Sequence, residues 1–462
     1  MAASEGGGDT SEPASFRDPS GQVFRRRGVV HRRVEASYAP HYDRLIGSGL
    51  YDALVADGRL VPHEEVPLGP EDAGAYRILR PEPLPFISYP YEWCAGQLQA
   101  AALLTLELMQ ASLERGLVLK DASAFNVQFV GSRPVLMDTL SFEIHQDGRP
   151  WVAYRQFCEH FLAPLALATR DPRLLGLLRA HLDGVPLPLA SALLPARTWL
   201  RFGLLSHVHL HARAQSGLGD KTGAASRATM STRALLALVD SLRRIVAGLG
   251  RPVRPSAWTD YESTCTYSAD ARERKEDVVR RFVEGARPRL VLDLGANTGV
   301  FSRLAAAAGA YVVSIDGDAD VVEQSFTRAR AERDARLLPL VMDLANPSPG
   351  LGWDGTERAA LRSRGPADAL LALALVHHLA LTHNVPLPMI ASWLAGLGRR
   401  AVVEFVPKSD PQAQRLLAIR EDIFARYDRA HLEEALGAHF AIEAAVELPG
   451  SGRVLYVCGP RG

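Results

Sequence analysis

One stretch in the second half of the chain limits the possible folds more than any other. Residues 289–310, RLVLDLGANTGVFSRLAAAAGA, run from an apolar strand through a glycine turn into an alanine-rich helix. This order is typical of the first strand–helix unit of a doubly wound parallel sheet. Gly295 and Gly299 let the backbone approach a ligand closely, and the helix N-terminus presents free N–H groups. We therefore expect a ligand with a carboxylate or phosphate at this turn.

The next strand indicates a ligand that contains a ribose. YVVSID ends on Asp316, 21 residues after Gly295, where a carboxylate can accept hydrogen bonds from both ribose hydroxyls. A dinucleotide site with the pattern G-x-G-x-x-G would need glycine where this chain has Asn297 and Val300. The turn therefore argues against NAD, and a strand-to-helix turn without a ligand remains the alternative.

Further strand patterns complete a sheet. LLPLVMD ends on Asp343, and ADALLALAL and RAVVEFV follow at helix-length separations. FAIEAAVEL and RVLYVCG, joined by the turn PGSG, predict a terminal hairpin. The sequence thus predicts an α/β, Rossmann-like domain with a seven-stranded sheet, in which five parallel strands precede an antiparallel hairpin.

On these residues the second half resembles the class I S-adenosylmethionine (SAM)-dependent methyltransferases. DLGANTG is similar to their first motif, with Asn297 where glycine is commoner. The strings DLANPSPGLGW, LALALVHHLA, NVPL, EFVPKSDPQ and LLAIREDIFARY resemble a little-characterised bacterial group that includes a nodulation-type methyltransferase. The resemblance covers most of the chain and implies SAM as the cofactor. The residues expected around SAM are Asp293, Gly295, Ala296, Asn297, Gly299, Asp316, Asp343 and Leu344.

Candidate bases follow the fourth and fifth strands, where ligands meet the carboxyl ends of a parallel sheet. Either His377 or His378 could take a proton from an acceptor hydroxyl or amine. Glu404, near the end of the fifth strand, could act as a base or hold an amine if burial raises its pKa. The alternatives are a structural histidine pair and a Glu404 satisfied by Lys408 or Arg399.

The first half contains a segment that resembles part of a protein kinase. In KDASAFNVQFVGSRPVLMD, Asp121 and Asn126 have the D-x4-N spacing, and Asp138 ends the next strand as a metal-binding aspartate would. Thr139 and Leu140 replace the usual Phe-Gly, and neither a glycine-rich loop nor a strand lysine is recognisable upstream. This resembles a reduced, degenerate kinase-like unit. It could be a phosphotransferase, a pseudoenzyme that binds nucleotide or metal through Asn126 and Asp138, or a scaffold.

Length and local composition predict two domains, since 462 residues exceed one ordinary core. GLGRPVRPSAW, near residues 248–258, is the best linker. The expected parts are a disordered tail at 1–20, an α+β and kinase-like domain at 21–250, and the methyltransferase domain at 257–462. Aromatic side chains after the linker could cover SAM or pack at the domain junction: Trp258, Tyr261 and Tyr267.

Charge and cysteine content exclude some classes of function. Lys and Arg total 52, and Asp and Glu also total 52, so no net charge attracts nucleic acid or acidic lipid. The 4 cysteines form no CxxC pair, so neither a disulfide framework nor a zinc site is expected. No signal peptide or membrane-length apolar run is visible, which predicts a cytoplasmic protein without a membrane anchor.

Together these features predict a SAM-dependent methyltransferase acting on a small molecule or glycan. Three alternatives remain open. One is a kinase-like phosphotransferase, or a bifunctional enzyme, with a regulatory SAM-binding domain. The second is a non-catalytic SAM-binding module. The third is an RNA methyltransferase that uses the arginines of FRRRGVVHRR. The sequence does not indicate the oligomeric state.

Overall fold

The structure is a computed structural model that describes residues 9–217, 229–250, 268–418 and 421–461. The chain forms two compact units, each discontinuous in sequence. Unit 1 comprises Met1–Phe129, Pro134–Pro252 and Leu351–Arg358, and unit 2 comprises Val130–Arg133, Val253–Gly350 and Ala359–Gly462. The aromatic side chains predicted near SAM or the junction lie outside the described residues: Trp258, Tyr261 and Tyr267.

Unit 1 begins with a five-stranded antiparallel sheet in the order β1-β2-β3-β5-β4. Its strands are β1 Thr10–Ser11, β2 Gly21–Arg26, β3 Val29–Glu35, β4 His63–Val66 and β5 Ala75–Pro81. Arg27 and Gly28, with φ of 51° and 79°, make the tight β2–β3 turn. Helices α1 Ala39–Gly47 and α2 Leu50–Ala56 connect β3 to β4. Tyr38, Tyr42 and Leu79 belong to one buried cluster against this sheet.

The rest of unit 1 is mainly helical. The long apolar helix predicted near 93–117 is confirmed as α3 Ala95–Leu113. Its first turn is capped by Gln97, whose Oε1 accepts a hydrogen bond from the Cys94 amide at 3.0 Å. Two strand pairs follow: β6 Leu117–Leu119 with β9 Phe142–Ile144, and β7 Val127–Val130 with β8 Arg133–Leu136. The remaining helices are α4 Tyr154–Phe157, α5 Ala163–Ala168, α6 Leu177–Ala180, α7 Leu187–Leu193, α8 Phe202–Leu204, α9 Leu210–Gly217 and α10 Thr232–Ala247.

The prediction of a disordered tail is corrected for residues 9–20. Thr10 and Ser11 pair with β2, and the Ser15 hydroxyl accepts a hydrogen bond from the Val23 amide at 2.6 Å. Asp18 lies 3.2 Å from Lys120 Nζ. Sequence reasoning missed this because the segment is held by polar contacts rather than by an apolar face.

Unit 2 is built on a seven-stranded sheet in the order β12-β11-β10-β13-β14-β16-β15. Its strands are β10 Leu290–Leu294, β11 Tyr311–Asp316, β12 Leu337–Val341, β13 Ala369–Ala372, β14 Ala401–Phe405, β15 Phe440–Glu447 and β16 Val454–Pro460. The first five are parallel, and β16 runs antiparallel to both β14 and β15. This confirms the predicted class I methyltransferase sheet with its terminal hairpin.

The helices of unit 2 are α11 Ala269–Ala286, α12 Val300–Ala307, α13 Ala319–Glu332, α14 Leu387–Leu397, α15 Pro411–Leu417 and α16 Arg429–Gly437. Val279 of α11, Ala305 of α12 and Val291 of β10 belong to one buried core cluster. The strand order reverses between β10 and β13, and in open α/β sheets ligands bind outside the carboxyl ends of the strands at this switch point. Across the parts of the chain that the structure describes, no helix combines the length and apolar character needed to cross a membrane.

Candidate functional site

The turn after β10 is tied to the neighbouring strand β11. The Gly295 and Ala296 amides donate hydrogen bonds to the Ile315 carbonyl at 2.9 and 3.0 Å. Gly295 has a φ of 77° and Gly299, which precedes α12, a φ of 80°. A Cβ atom at Gly299 would lie 3.1 Å from Ser325 Oγ, tighter than ordinary contact. Backbone conformation and space therefore both favour glycine at this position.

Asn297 occupies the point where the commoner motif has glycine. Its φ is 50°, in the left-handed region that asparagine enters more readily than most residues. Its side-chain Oδ1 accepts a hydrogen bond from the Thr298 amide at 2.7 Å. Its own amide donates to Asp316 Oδ2 at 2.9 Å. Asn297 therefore adopts a conformation that glycine would also adopt, and connects the turn to the end of β11.

Asp316 lies half-buried at the end of β11. Its two carboxylate oxygens accept one backbone hydrogen bond each, Oδ2 from Asn297 and Oδ1 from Asp318 at 2.9 Å. Burial raises the pKa of Asp316, while these two amides oppose the rise. Each oxygen has a second lone pair, so the oriented carboxylate can still accept hydrogen bonds from a pair of hydroxyls.

Asp343 and Leu344 follow β12 at the same edge of the sheet. The Met342 amide donates a hydrogen bond to the Asp316 carbonyl at 2.8 Å, which aligns the ends of β11 and β12. A Cβ atom at Gly317 would lie 3.9 Å from the Cα atom of Asp343. Asp343 is exposed and Leu344 half-buried. The structure thus brings Asp343 close to the end of β11, with Leu344 directly after it in the chain.

Asp293 differs from Asp316 and Asp343, the other carboxylates predicted around the cofactor, because it is buried within the fold. It is 2% exposed, and the Ser302 hydroxyl on α12 donates a hydrogen bond to its Oδ2. Burial raises the pKa of Asp293 to about 6, although the Ser302 hydrogen bond opposes the rise. Asp293 therefore links the end of β10 to α12, the two elements that the turn connects.

A second turn, after β13, lies on the other side of the switch point. Ala374 has a φ of 50°, which is uncommon for a residue with a Cβ atom and is often found near functional sites. A Cβ atom at Gly295 would lie 3.6 Å from Leu375 Cδ1, so the β10 and β13 turns approach each other. Sequence reasoning missed Ala374, because alanine carries no signal for this conformation.

His377 and His378 follow this second turn. His377 is fully buried, and neither Nδ1 nor Nε2 of its ring has a hydrogen-bond partner among the residues that the structure describes. The two histidine rings lie 4.2 Å apart between centroids. Burial lowers the pKa of His377 well below its usual value and that of half-buried His378 to about 4. Both imidazoles are therefore neutral near pH 7.

Glu404 is buried on β14 between two cations. Its Oε2 lies 2.7 Å from Lys275 Nζ and its Oε1 lies 3.2 Å from Arg453 Nη1. Arg453 Nε in turn pairs with Asp410 at 2.7 Å. All four side chains are almost entirely buried. Two positive and two negative charges thus form one compact network, in which both Glu404 oxygens face cations, and the role of Glu404 as a base stays a prediction.

The partners of Glu404 were not the ones expected from the sequence. Lys408 pairs with Asp422 at 2.8 Å instead. Lys275 is 129 residues from Glu404, and Arg453 is 49 residues away. No local sequence pattern marks contacts over such separations.

In unit 1 the structure brings together the predicted kinase-like trio. Asp121 receives a hydrogen bond from the Ser123 amide at 2.9 Å and interacts with both Asn126 and Asp138. Burial raises the pKa of Asp121. Ser141 links the other two residues, since its hydroxyl accepts from Asn126 at 3.4 Å and donates to Asp138 at 2.9 Å.

Asp138 has a cationic partner that sequence reasoning missed. Arg32, on β3, pairs with Asp138 Oδ1 at 2.5 Å. Kinase-like enzymes have a lysine on the corresponding strand, so the kinase pattern does not mark an arginine at this position. Within the described ranges, no group of three or more His, Cys, Asp and Glu side chains could hold a metal ion. The metal suggested for Asn126 and Asp138 stays a prediction, since that pair includes an amide and nucleotide phosphates would complete its ligands.

Three solved structures that resemble the chain are distant from it in sequence. The chain is 16% identical to WbdD, with a TM-score of 0.32, over 45% of this chain and 43% of that chain. It is 20% identical to SAM-bound magnesium protoporphyrin IX methyltransferase from Synechocystis PCC 6803, with a TM-score of 0.31, over 45% of this chain and 86% of that chain. It is 10% identical to the N-methyltransferase NodS from Bradyrhizobium japonicum WM9, with a TM-score of 0.32, over 42% of this chain and 99% of that chain. At these TM-scores the fold assignment depends on the strand order alone.

Comparison with curated proteins gives a nearly full-length relative. No family model matches the chain. The nodulation protein NoeA of Rhizobium meliloti (strain 1021) is 37% identical over 452 residues, which cover 96% of this chain and 94% of that protein. With this identity over almost its whole length, the chain belongs to the family of the nodulation protein NoeA.

Proposed function

We propose that this protein is a SAM-dependent methyltransferase with its active site at the β10–β13 switch point of unit 2. The observation that carries the proposal is the Asp316 carboxylate, held by the Asn297 and Asp318 amides at the edge where the β10 turn ends. An acidic residue at the end of the second strand suits a ribose, while Asn297 and Val300 remove the glycines of a dinucleotide site.

The residues around the switch point fit the separate parts of SAM. Asp316 would accept hydrogen bonds from the ribose hydroxyls, and Asp343 with Leu344 would border the adenine. The turn from Gly295 to Gly299, at the start of α12, would receive the methionine carboxylate, because a helix N-terminus favours an anion. When bound, SAM supplies an activated methyl group on its sulfonium.

His377 is the best candidate to contact the methyl acceptor. A buried imidazole without a hydrogen bond costs about 1–3 kcal/mol, and a polar ligand would remove that cost. Neutral His377 can accept a hydrogen bond from an acceptor hydroxyl or amine and so orient its lone pair. Its low pKa makes it a weak base in the resting protein. It can still take the proton, because the acceptor becomes far more acidic as the new bond forms.

Glu404 receives a different role from the one expected. With Lys275 and Arg453 on its two oxygens, it would position α11 and the strand ends around His377. We propose a small molecule or a glycan as acceptor, since 52 basic and 52 acidic residues leave no net charge to attract RNA. The Arg32–Asp138 pair argues against the phosphotransferase alternative.

Calorimetric titration of the full-length protein with SAM tests the cofactor assignment. We expect wild-type protein to bind SAM and Asp316→Ala to bind it about 10- to 100-fold more weakly. This is the loss of affinity that follows when hydrogen bonds to a charged group are removed. Asp320→Ala, on the first turn of α13, is the matched control and should bind as wild type does. Equal SAM affinity in wild type and Asp316→Ala would contradict the assignment.

The role of His377 can be separated from cofactor binding. His377→Leu should retain SAM affinity but transfer radiolabelled methyl groups to a metabolite and glycan panel about 10²- to 10⁴-fold more slowly. His383→Asn, at an exposed position, is the control and should leave the rate unchanged. SAM binding without transfer to any acceptor would instead favour a non-catalytic SAM-binding module.

A further inference from the structure

Unit 1 contains a set of polar side chains that methyl transfer does not use. Asp121, Asn126 and Asp138 have the spacing of the base and the two magnesium ligands of a protein kinase. Such enzymes also use a lysine on the third strand of the first sheet to bind nucleotide phosphates. Unit 1 can bind a magnesium nucleotide only if these groups are not already engaged in hydrogen bonds and ion pairs with other side chains of the unit.

The carboxylate of Asp138 is occupied on both oxygens. Oδ1 accepts a hydrogen bond from the Leu140 amide at 2.8 Å and pairs with Arg32 Nη1 at 2.5 Å. Oδ2 accepts a hydrogen bond from the Ser141 hydroxyl at 2.9 Å. The Asp138 side chain is only 11% exposed. Magnesium needs near-octahedral oxygen ligands and keeps several waters, so it does not fit beside a guanidinium that already neutralises this carboxylate.

The basic side chains nearby are also paired. The connection between β1 and β2 contributes Asp18, whose carboxylate lies 3.2 Å from Lys120 Nζ and 3.7 Å from Arg32 Nη2. The Ser20 amide donates a hydrogen bond to Asp18 at 2.9 Å, and Lys120 donates one to the Ser20 hydroxyl at 2.6 Å. In protein kinases the corresponding connection covers the nucleotide phosphates. Here it presents a carboxylate to the same basic groups.

We propose that unit 1 supplies the charges of a kinase-like site from its own side chains. Arg32 takes the place of a divalent cation at Asp138, and Asp18 takes the place of a phosphate beside Arg32 and Lys120. This site of unit 1, formed by described residues, therefore binds neither Mg²⁺ nor a nucleoside triphosphate, independently of methyl transfer by unit 2. Arginine suits this role because its guanidinium stays charged and forms directed hydrogen bonds to a carboxylate.

Electron paramagnetic resonance of free Mn²⁺, a probe for Mg²⁺, tests the proposal on the full-length protein. Addition of wild type should leave the free Mn²⁺ signal unchanged, both in buffer and in a solution of ATP, where the signal of Mn²⁺ and ATP without protein is the reference. Arg32→Met removes the guanidinium but keeps an unbranched side chain, so it should bind one Mn²⁺ per chain. The double variant Arg32→Met, Asp138→Asn should lose this Mn²⁺ site. Arg33→Met is the matched control on the same strand, since Arg33 pairs with Glu35 at 2.8 Å, and should behave as wild type does.

Removal of one partner of a buried ion pair can destabilise a fold. Circular dichroism and SAM affinity should therefore be recorded for each variant. Arg32→Gln, which keeps a polar side chain but removes the positive charge, is the second variant and should also gain Mn²⁺ binding. Binding of Mn²⁺ or Mn·ATP by wild type that Asp138→Asn abolishes would overturn the proposal. Absence of Mn²⁺ binding in folded Arg32→Met or Arg32→Gln would overturn it as well.

Discussion

At the scale of single residues, the proposed cofactor turn depends on backbone conformation as much as on side chains. Asn297 has a φ of 50° and an amide directed at Asp316. The sequence predicted that this position departs from the commoner motif. It did not predict that asparagine would provide the required left-handed conformation.

Substitution at Asn297 should separate conformation from side-chain chemistry. Asn297→Gly should retain SAM binding, because glycine adopts this φ without strain. Asn297→Val should destabilise the fold by about 1–3 kcal/mol and weaken SAM binding, because a β-branched residue is strained there. Urea unfolding and calorimetry measure the two effects. Asn384, with a φ of 58°, is the control: Asn384→Val should lower stability without changing SAM affinity.

The buried carboxyl group of Asp293 should lower the free energy of unfolding as pH rises, the opposite of the usual effect of a carboxylate in an ion pair. Burial raises its pKa to about 6 from 3.8, so the folded chain holds a proton that the unfolded chain releases. The resulting stability is fully present below pH 3.8 and is lost as pH rises through about 6. Asp293→Asn should therefore gain stability relative to wild type by up to about 3 kcal/mol between pH 4 and pH 7.5. Urea unfolding at several pH values measures this difference, and parallel curves for the two proteins would refute the effect.

At the scale of helices and strands, the elements with long apolar runs could be predicted from the sequence more fully than those with interspersed charged residues. The parallel strands of unit 2 are mainly apolar runs between turns, interrupted by residues such as Asp293 and Glu404, so their succession along the chain and their approximate limits could be predicted. The strands of unit 1 are different: β3, VVHRRVE, places charged residues between apolar ones, and Arg32 points toward an ion pair. A charged residue in a strand pattern predicts a solvent-exposed position. The structure instead pairs Arg32 with Asp138.

The anchoring of α11 to β14 gives a prediction at this scale. Lys275→Met leaves Glu404 buried with one cation fewer, which should destabilise the protein by about 3–5 kcal/mol. The double variant Lys275→Met, Glu404→Leu should be less destabilised than the sum of its single variants. Arg281→Met is the matched control on the same helix. Its partner Asp277 is at 3.1 Å and Arg281 is 73% exposed, so we expect a loss below about 1 kcal/mol in urea unfolding.

At the scale of the whole molecule, the predicted fold class is confirmed. The predicted cofactor turn also lies where the strand order reverses, as expected for a doubly wound sheet. The ion pairs around Glu404 and Asp138 could not be predicted, because they join residues 129 and 106 positions apart, the latter the difference between 138 and 32. Patterns of period two or 3.6 describe neighbours along one element and carry no information on such distant pairs.

The discontinuity of unit 1 has a consequence for how genes of this family can change. Unit 1 includes Leu351–Arg358, a loop encoded far downstream of the rest of that unit. Glu357 of this loop binds Arg17 at 2.7 Å, and the Arg358 guanidinium lies 4.4 Å from the centre of the Phe125 ring. Recombination that exchanged only the first half of the gene would separate these partners. Swapping the halves as interchangeable cassettes would require a compatible loop from the second half as well, so we expect the two halves to be inherited together.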